Sequence, residues 1–188
     1  EGEEIDTLAQ PGNNDRGMKD LTFDGELIWG IVSNAVYGMT LEGDVEHSFA
    51  APYNPSSAIT WDSDREILWI CGTTSNPVGI DRAGNRIEGM EIDRNQLRIY
   101  GLAYFYDDPD DAPLYIFTKE RDTNRQILYK YSFETEDTTY VAYLDAEGGG
   151  APQGSFITNT YDVYSWVFMS ISNNAARDRV DIHQIEGR

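Results

Sequence analysis

Residues Leu21–Val32, LTFDGELIWGIV, decide the fold. They read as a short apolar strand with an aromatic, a turn led by Asp, and a second apolar strand carrying Trp. The same order returns at Ala58–Cys71, AITWDSDREILWIC, and at Gly101–Phe117, GLAYFYDDPDDAPLYIF. A degenerate copy is Ser155–Ile171, SFITNTYDVYSWVFMSI. The first-strand aromatics align as Phe23, Trp61 and Tyr104, with Asn159 in that place in the fourth copy. Trp29, Trp69, Tyr115 and Trp166 align in the second strand. A repeat can bury its apolar face only against the next one, so these anchors are expected between neighbouring units.

Each copy has a second half. Val36–Phe49, VYGMTLEGDVEHSF, matches Val78–Ile92, VGIDRAGNRIEGMEI, and Ile127–Leu144, ILYKYSFETEDTTYVAYL, is a third version with a longer turn. Asp or Asn beside Gly gives the positive φ of a tight hairpin. Arg179–Glu186, RVDIHQIE, supplies a third strand for the last copy, which then stops one strand short. Glu1–Leu8, EGEEIDTL, resembles the closing part of a repeat and is expected to complete that copy. Turn residues punctuate the chain throughout and no stretch keeps a capped helical period.

This is the pattern of an all-β chain: a β-propeller of four-stranded antiparallel blades, four blades encoded, closed by the N-terminal strand. The expected division is one domain, with residues 1–16 as closing strand and loop, 17–54 as blade 1, 55–95 as blade 2, 96–148 as blade 3 and 149–188 as blade 4. An insertion is expected near Gly148–Gly150. A β-sandwich and a fragment of a larger propeller are the alternatives, and the sandwich does not explain anchors recurring at one place in each copy.

The strand-and-hairpin grammar of LTFDGELIWGI and VYGMTLEGDVEHSF resembles the repeats of secreted bacterial propellers, in the broad group of NHL-repeat, streptogramin-lyase-like and glutaminyl-cyclotransferase-like proteins. The resemblance covers nearly the whole chain and is one of scaffold. That group mixes enzymes with binding modules, so the fold alone does not assign a function. The lyase-like members imply a histidine base and a divalent metal. This chain has only His47 and His183, both expected on outer strands, and no catalytic pattern carries over.

Composition narrows the function. Thirty-three acids against 14 bases give a net charge of −19, which argues against nucleic acid and anionic lipid as partners. No apolar run approaches a membrane span. Cys71 is the only cysteine; it sits in LWICG and is expected to be a buried, inert thiol. The chain begins at Glu1 without a signal peptide and ends on IEGR, so it is expected to be a mature or excised piece of something longer. Extracellular or cell-surface placement is the corresponding expectation.

No phosphate loop, HExxH or GxSxG motif is present. Asp107, Asp108, Asp110 and Asp111 share one turn, and calcium is the ion that such oxygens would hold. The spacing is not that of an EF-hand, and the simpler expectation is a solvated turn, as for Asp62 and Asp64. Lys and Arg gather in the loops of the opposite end. Arg94, Arg98, Arg121, Arg125 and Arg177 are the candidate ligand-binding residues there.

The expected function is a non-catalytic binding or protein-interaction module of a larger secreted protein. Its ligand would be a protein, small molecule or glycan on one propeller face, and other domains or a second copy would be further partners. The alternative is a propeller hydrolase or lyase using carboxylates and a divalent cation.

Overall fold

A computed structural model of the chain describes residues 7–12, 17–123, 125–144, 150–174 and 177–187. The expected closing strand, Glu1–Leu8, lies mostly outside the described residues; Thr7 and Leu8 are described and are not strand. Among the described residues fifteen strands form four antiparallel sheets. Blade 1 is β1 (Leu21–Phe23), β2 (Ile28–Val32), β3 (Ala35–Met39) and β4 (Val45–Ala50). Blade 2 is β5 (Ala58–Asp62), β6 (Ile67–Cys71), β7 (Val78–Ile80) and β8 (Arg86–Glu91). Blade 3 is β9 (Gly101–Tyr104), β10 (Leu114–Lys119), β11 (Gln126–Tyr131) and β12 (Thr138–Leu144). Blade 4 has three described strands, β13 (Ala151–Asp162), β14 (Ser165–Asn174) and β15 (Arg177–Gly187).

The chain is a four-bladed β-propeller. Within each sheet the strands pair in chain order, as hairpin-connected strands do. The hairpin turns behave as their residues require: Gly43 and Gly84 sit at φ +93° and +90°, where a side chain would be strained. Asp81 caps its turn by accepting the amides of Ala83 and Asn85 at 2.9 and 2.8 Å.

Three apolar cores lie between successive blades. Trp29, Ile31 and Val36 meet Ile59, Leu68 and Ile70 between blades 1 and 2. Trp69 and Cys71 meet Leu102, Leu114 and Ile116 between blades 2 and 3. Tyr115 and Phe117 meet Ile157, Trp166 and Phe168 between blades 3 and 4. Cys71 is fully buried, and burial, with the charge of Asp20 adding, pushes its thiol pKa up.

Two anchors depart from the repeat alignment. Trp166 is buried but faces back onto blade 3, with its ring 4.5 Å from that of Phe105. Val167, opposite Thr158, takes the place that Trp29 holds opposite Thr22 and Trp69 opposite Thr60. The β13–β14 register shifts between Thr158 and Asp162, and a one-residue slip turns every following side chain to the other face. Phe23, expected between blades, is 42% exposed, because blade 4 does not close over it.

The four inner strands converge at their starts. Asp20 reaches from blade 1 to blade 2, where its Oδ2 accepts the Ile59 amide at 3.0 Å. A Cβ on Gly154 would lie 2.9 Å from Asp20 Oδ1, and one on Gly101 would lie 2.6 Å from Ser155 Oγ. Side chains at these two positions would hold the strands apart, so glycine permits the close approach.

Candidate functional site

The turns that join first and second strands share one construction. Asp24 Oδ1 accepts the amides of Glu26 and Leu27 at 2.9 and 2.7 Å, and its Oδ2 accepts Trp29 Nε1 at 2.7 Å. Asp62 accepts the amides of Asp64 and Arg65 at 3.1 and 3.0 Å, and Trp69 Nε1 at 2.9 Å. Asp108 accepts the amides of Asp110 and Ala112 at 3.0 and 3.1 Å, and the Tyr115 hydroxyl at 2.6 Å. In blade 4 Asp162 accepts the Tyr164 amide at 3.0 Å and the Ser165 hydroxyl at 2.5 Å. A carboxylate thus caps each turn with one oxygen and ties it to the second strand with the other.

The first three of these carboxylates are buried and each meets a cation. Arg82 Nε lies 2.9 Å from Asp24, Arg65 Nη1 lies 3.0 Å from Asp62, and Lys130 Nζ lies 3.2 Å from Asp108. This corrects the expectation of solvated turns for Asp62 and Asp108, because each is enclosed by the aromatic it binds. Asp107, Asp110 and Asp111 are exposed. Asp110 pairs with Lys130 at 2.5 Å. Burial opposes the charge on Lys130, yet the hydrogen bonds it donates to Asp110 and Asp108 outweigh it and hold the ammonium pKa above its ordinary value. Among the described residues no group of three or more His, Cys, Asp or Glu is arranged to hold a metal ion. His47 is exposed on β4, and His183 is on β15 with its ring 6.5 Å from Phe168.

Beside these turns, at the ends of the inner strands, the channel opens into a pocket of about 300 Å³. All four blades line it, through Phe23, Trp61, Tyr104 and Asn159. These are the four positions that the repeat alignment superimposes. Thr22, Thr60, Ser63 and Thr158 also line it, with the Thr22 hydroxyl accepting the Trp61 amide at 3.0 Å. The walls are fixed: the Arg82 guanidinium sits 4.9 Å over the Trp61 ring, and the Tyr104 hydroxyl donates to Asp64 at 2.7 Å. Burial, with that hydrogen bond adding, raises the Tyr104 pKa and keeps the hydroxyl a donor. Aromatic and hydroxyl-bearing residues therefore line the pocket, and Asp24, which also lines it, is buried against Arg82.

The candidate arginines occupy the other end and do not form one cluster. Arg98 and Arg121 line a pocket of about 450 Å³ with Lys119, Glu120 and Tyr143. Arg125 stacks 3.7 Å over the Tyr143 ring. Arg94 turns inward and donates to the Leu97 carbonyl at 2.6 Å. The Arg177 backbone is in β15, and its side chain lies outside the described residues. The channel mouth itself was not singled out by charge. Its signal was the repeated aromatic position, which reads equally well as a core anchor.

No family model matches the chain, and no curated protein matches it. Solved structures do. The mitotic checkpoint complex contains a chain of similar fold at 10% identity and TM-score 0.51, covering 88% of this chain and 62% of that one. The computationally designed protein Ika4 aligns over 99% of this chain and 100% of its own at 10% identity and TM-score 0.48. An extracellular domain from B. thetaiotaomicron aligns over 95% of this chain but 24% of its own, at 13% identity and TM-score 0.47. At such identities the likeness is one of fold.

Proposed function

We propose that this chain is a non-catalytic binding module whose ligand docks at the channel mouth, and that the ligand is the end of a neutral glycan. One observation carries the reading: four sequence-equivalent positions, Phe23, Trp61, Tyr104 and Asn159, come together from four blades around one pocket. Aromatic faces suit the C–H faces of a sugar ring, and flanking hydroxyls and an amide suit its polar edge. A net charge of −19 disfavours an anionic ligand. The carboxylates that a hydrolase would use, Asp24, Asp62 and Asp108, spend their oxygens on turn amides, an aromatic donor and a cation. Placement as one module of a larger secreted protein rests on the repeat grammar shared with secreted propellers.

The test is a panel of neutral oligosaccharides followed by amide NMR, with Trp61→Ala and with Tyr106→Ala, a change at an exposed side chain that also lines the pocket. Saturable binding should perturb the mouth residues, and both substitutions should weaken it about tenfold or more, roughly 1.4 kcal/mol. No binding by any neutral glycan, or binding indifferent to both changes, would overturn the reading. Binding of an extended peptide at the same residues would keep the site and replace the ligand class.

A further inference from the structure

In a chain with 33 acids and 14 bases, a basic side chain has no shortage of partners. Arg65, Arg82, Arg86, Lys130 and Arg179 each pair with a carboxylate. Arg98, Lys119, Arg121 and Arg125 form no ion pair among the described residues. They belong to two neighbouring segments: Arg98 stands in the connection from β8 to β9, and the other three belong to the β10–β11 hairpin.

The pocket of about 450 Å³ at this end is lined by Arg98, Lys119 and Arg121. The one acid in its lining is Glu120, and its oxygens are spent on hydroxyls. Oε1 accepts the Tyr143 hydroxyl at 3.2 Å and Oε2 accepts that of Thr123. Arg125 stacks on the outer wall, 3.7 Å over the Tyr143 ring, and an aromatic face attracts a cation without cancelling its charge. The lining thus holds three cations against one anion. The remaining walls are Leu97, Ile127 and Tyr129, and the Tyr129 and Tyr143 rings are both held edge-on by Tyr140.

The acidic end of the blade lies far from this pocket. Lys119 ends β10, and the Asp107–Asp111 turn precedes its start at Leu114. A strand of six residues spans about 16 Å, about two Debye lengths at physiological ionic strength. Asp93 and Asp122 are in the same loops as the cations but do not line the pocket. The nearby cations therefore set the local potential, against the sign of the whole chain.

We propose that this pocket is a second binding site, for a small carboxylate carried on a ring. The acid group lies among Arg98, Lys119 and Arg121, where guanidinium forks suit a carboxylate. The ring packs on Leu97 and the tyrosines. The volume is in the range of small-molecule sites and exceeds what a bare ion needs.

The full chain is titrated with benzoate, benzyl alcohol and inorganic phosphate, followed by amide NMR at low ionic strength. Benzoate should bind saturably and perturb the amides of Leu97, Arg98 and Arg121. Benzyl alcohol and phosphate should each bind about tenfold more weakly or worse. Arg98→Gln and Arg121→Gln change exposed side chains, so both should melt like the parent. Each should weaken benzoate about threefold, and sodium chloride should weaken it further by screening. Absence of saturable benzoate binding, or binding indifferent to both substitutions, overturns the site. Benzyl alcohol as tight as benzoate overturns the role of the cations, and phosphate as tight as benzoate overturns that of the ring. Shifts confined to Phe23, Trp61 and Tyr104 would place benzoate at the channel mouth and overturn the second site.

Discussion

Trp69 donates its indole Nε1–H to Asp62 across the first turn of blade 2 at 2.9 Å, and both residues are buried. The bond joins a side chain in the blade 2–3 core to the carboxylate that shapes the turn. Trp69→Ala should lower stability by about 3–5 kcal/mol, the cost of a large aromatic cavity. Trp69→Phe keeps most of the packing and removes the donor, so it should cost about 1–3 kcal/mol. Urea unfolding of the pair separates packing from the hydrogen bond. Equal losses would mean that the carboxylate contributes nothing.

Lys130 bridges two of the carboxylates of the blade 3 turn. Its Nζ is 3.2 Å from Asp108 and 2.5 Å from Asp110. Lys130→Met should destabilise the protein by about 2–3 kcal/mol, somewhat below the 3–5 kcal/mol of a fully buried pair. Thermal melts in sodium chloride should show stabilisation by screening of the net acidic charge. Calcium at matched ionic strength should add nothing to the parent. A calcium increment that vanishes in Asp108→Asn would show that the ion displaces the lysine.

Asp20 gives a pH dependence of defined sign. Its pKa is raised above 3.8 by burial. The folded state therefore holds a proton that the unfolded state has released, and stability falls as pH climbs from about 4 through the folded-state pKa. In Asp20→Ala this fall disappears, at the expense of the Ile59 amide, which loses its acceptor. The advantage of the parent over the variant should be largest near pH 4 and shrink toward neutrality, as read by denaturant unfolding across pH. An advantage that grows with pH would mean that the carboxylate is stabilised in its charged form.

Gly101 has no turn to explain it, only proximity: an added Cβ would lie 2.6 Å from Ser155 Oγ and 2.7 Å from the Ser155 nitrogen. Gly101→Ala should cost about 1–3 kcal/mol, because one of the contacting atoms is backbone and cannot rotate away. Gly25→Ala, where an added Cβ meets nothing within 4 Å but φ is +95°, should cost about 1 kcal/mol from strain alone. The difference between the two melting curves measures the steric part.

The repeat made the blades legible because each copy spells two strands, a turn and an aromatic in one order. The hairpin glycines and the burial of Trp29, Trp69 and Tyr115 were readable for the same reason. Asp62 and Asp108 were read as solvated, although an Asp recurs at this place in all four copies, at Asp24, Asp62, Asp108 and Asp162. Charge suggested solvent; their distances to side-chain donors, an indole at Asp24 and Asp62 and a hydroxyl at Asp108 and Asp162, show otherwise. Blade 4 hid its orientation: Trp166 aligns by eye with Trp69, but a bulge changes the side-chain face without changing composition. Arg94 and Arg125 could not be sorted from Arg98 and Arg121, because a stacked or inward guanidinium and one facing a pocket are spelled alike.

The close meeting of Gly101 with Ser155 and of Gly154 with Asp20 links blades 3, 4 and 1 through positions that carry no side chain. A substitution at either glycine acts on the strand opposite and not only on its own blade, so these inner strands can drift in sequence only in concert.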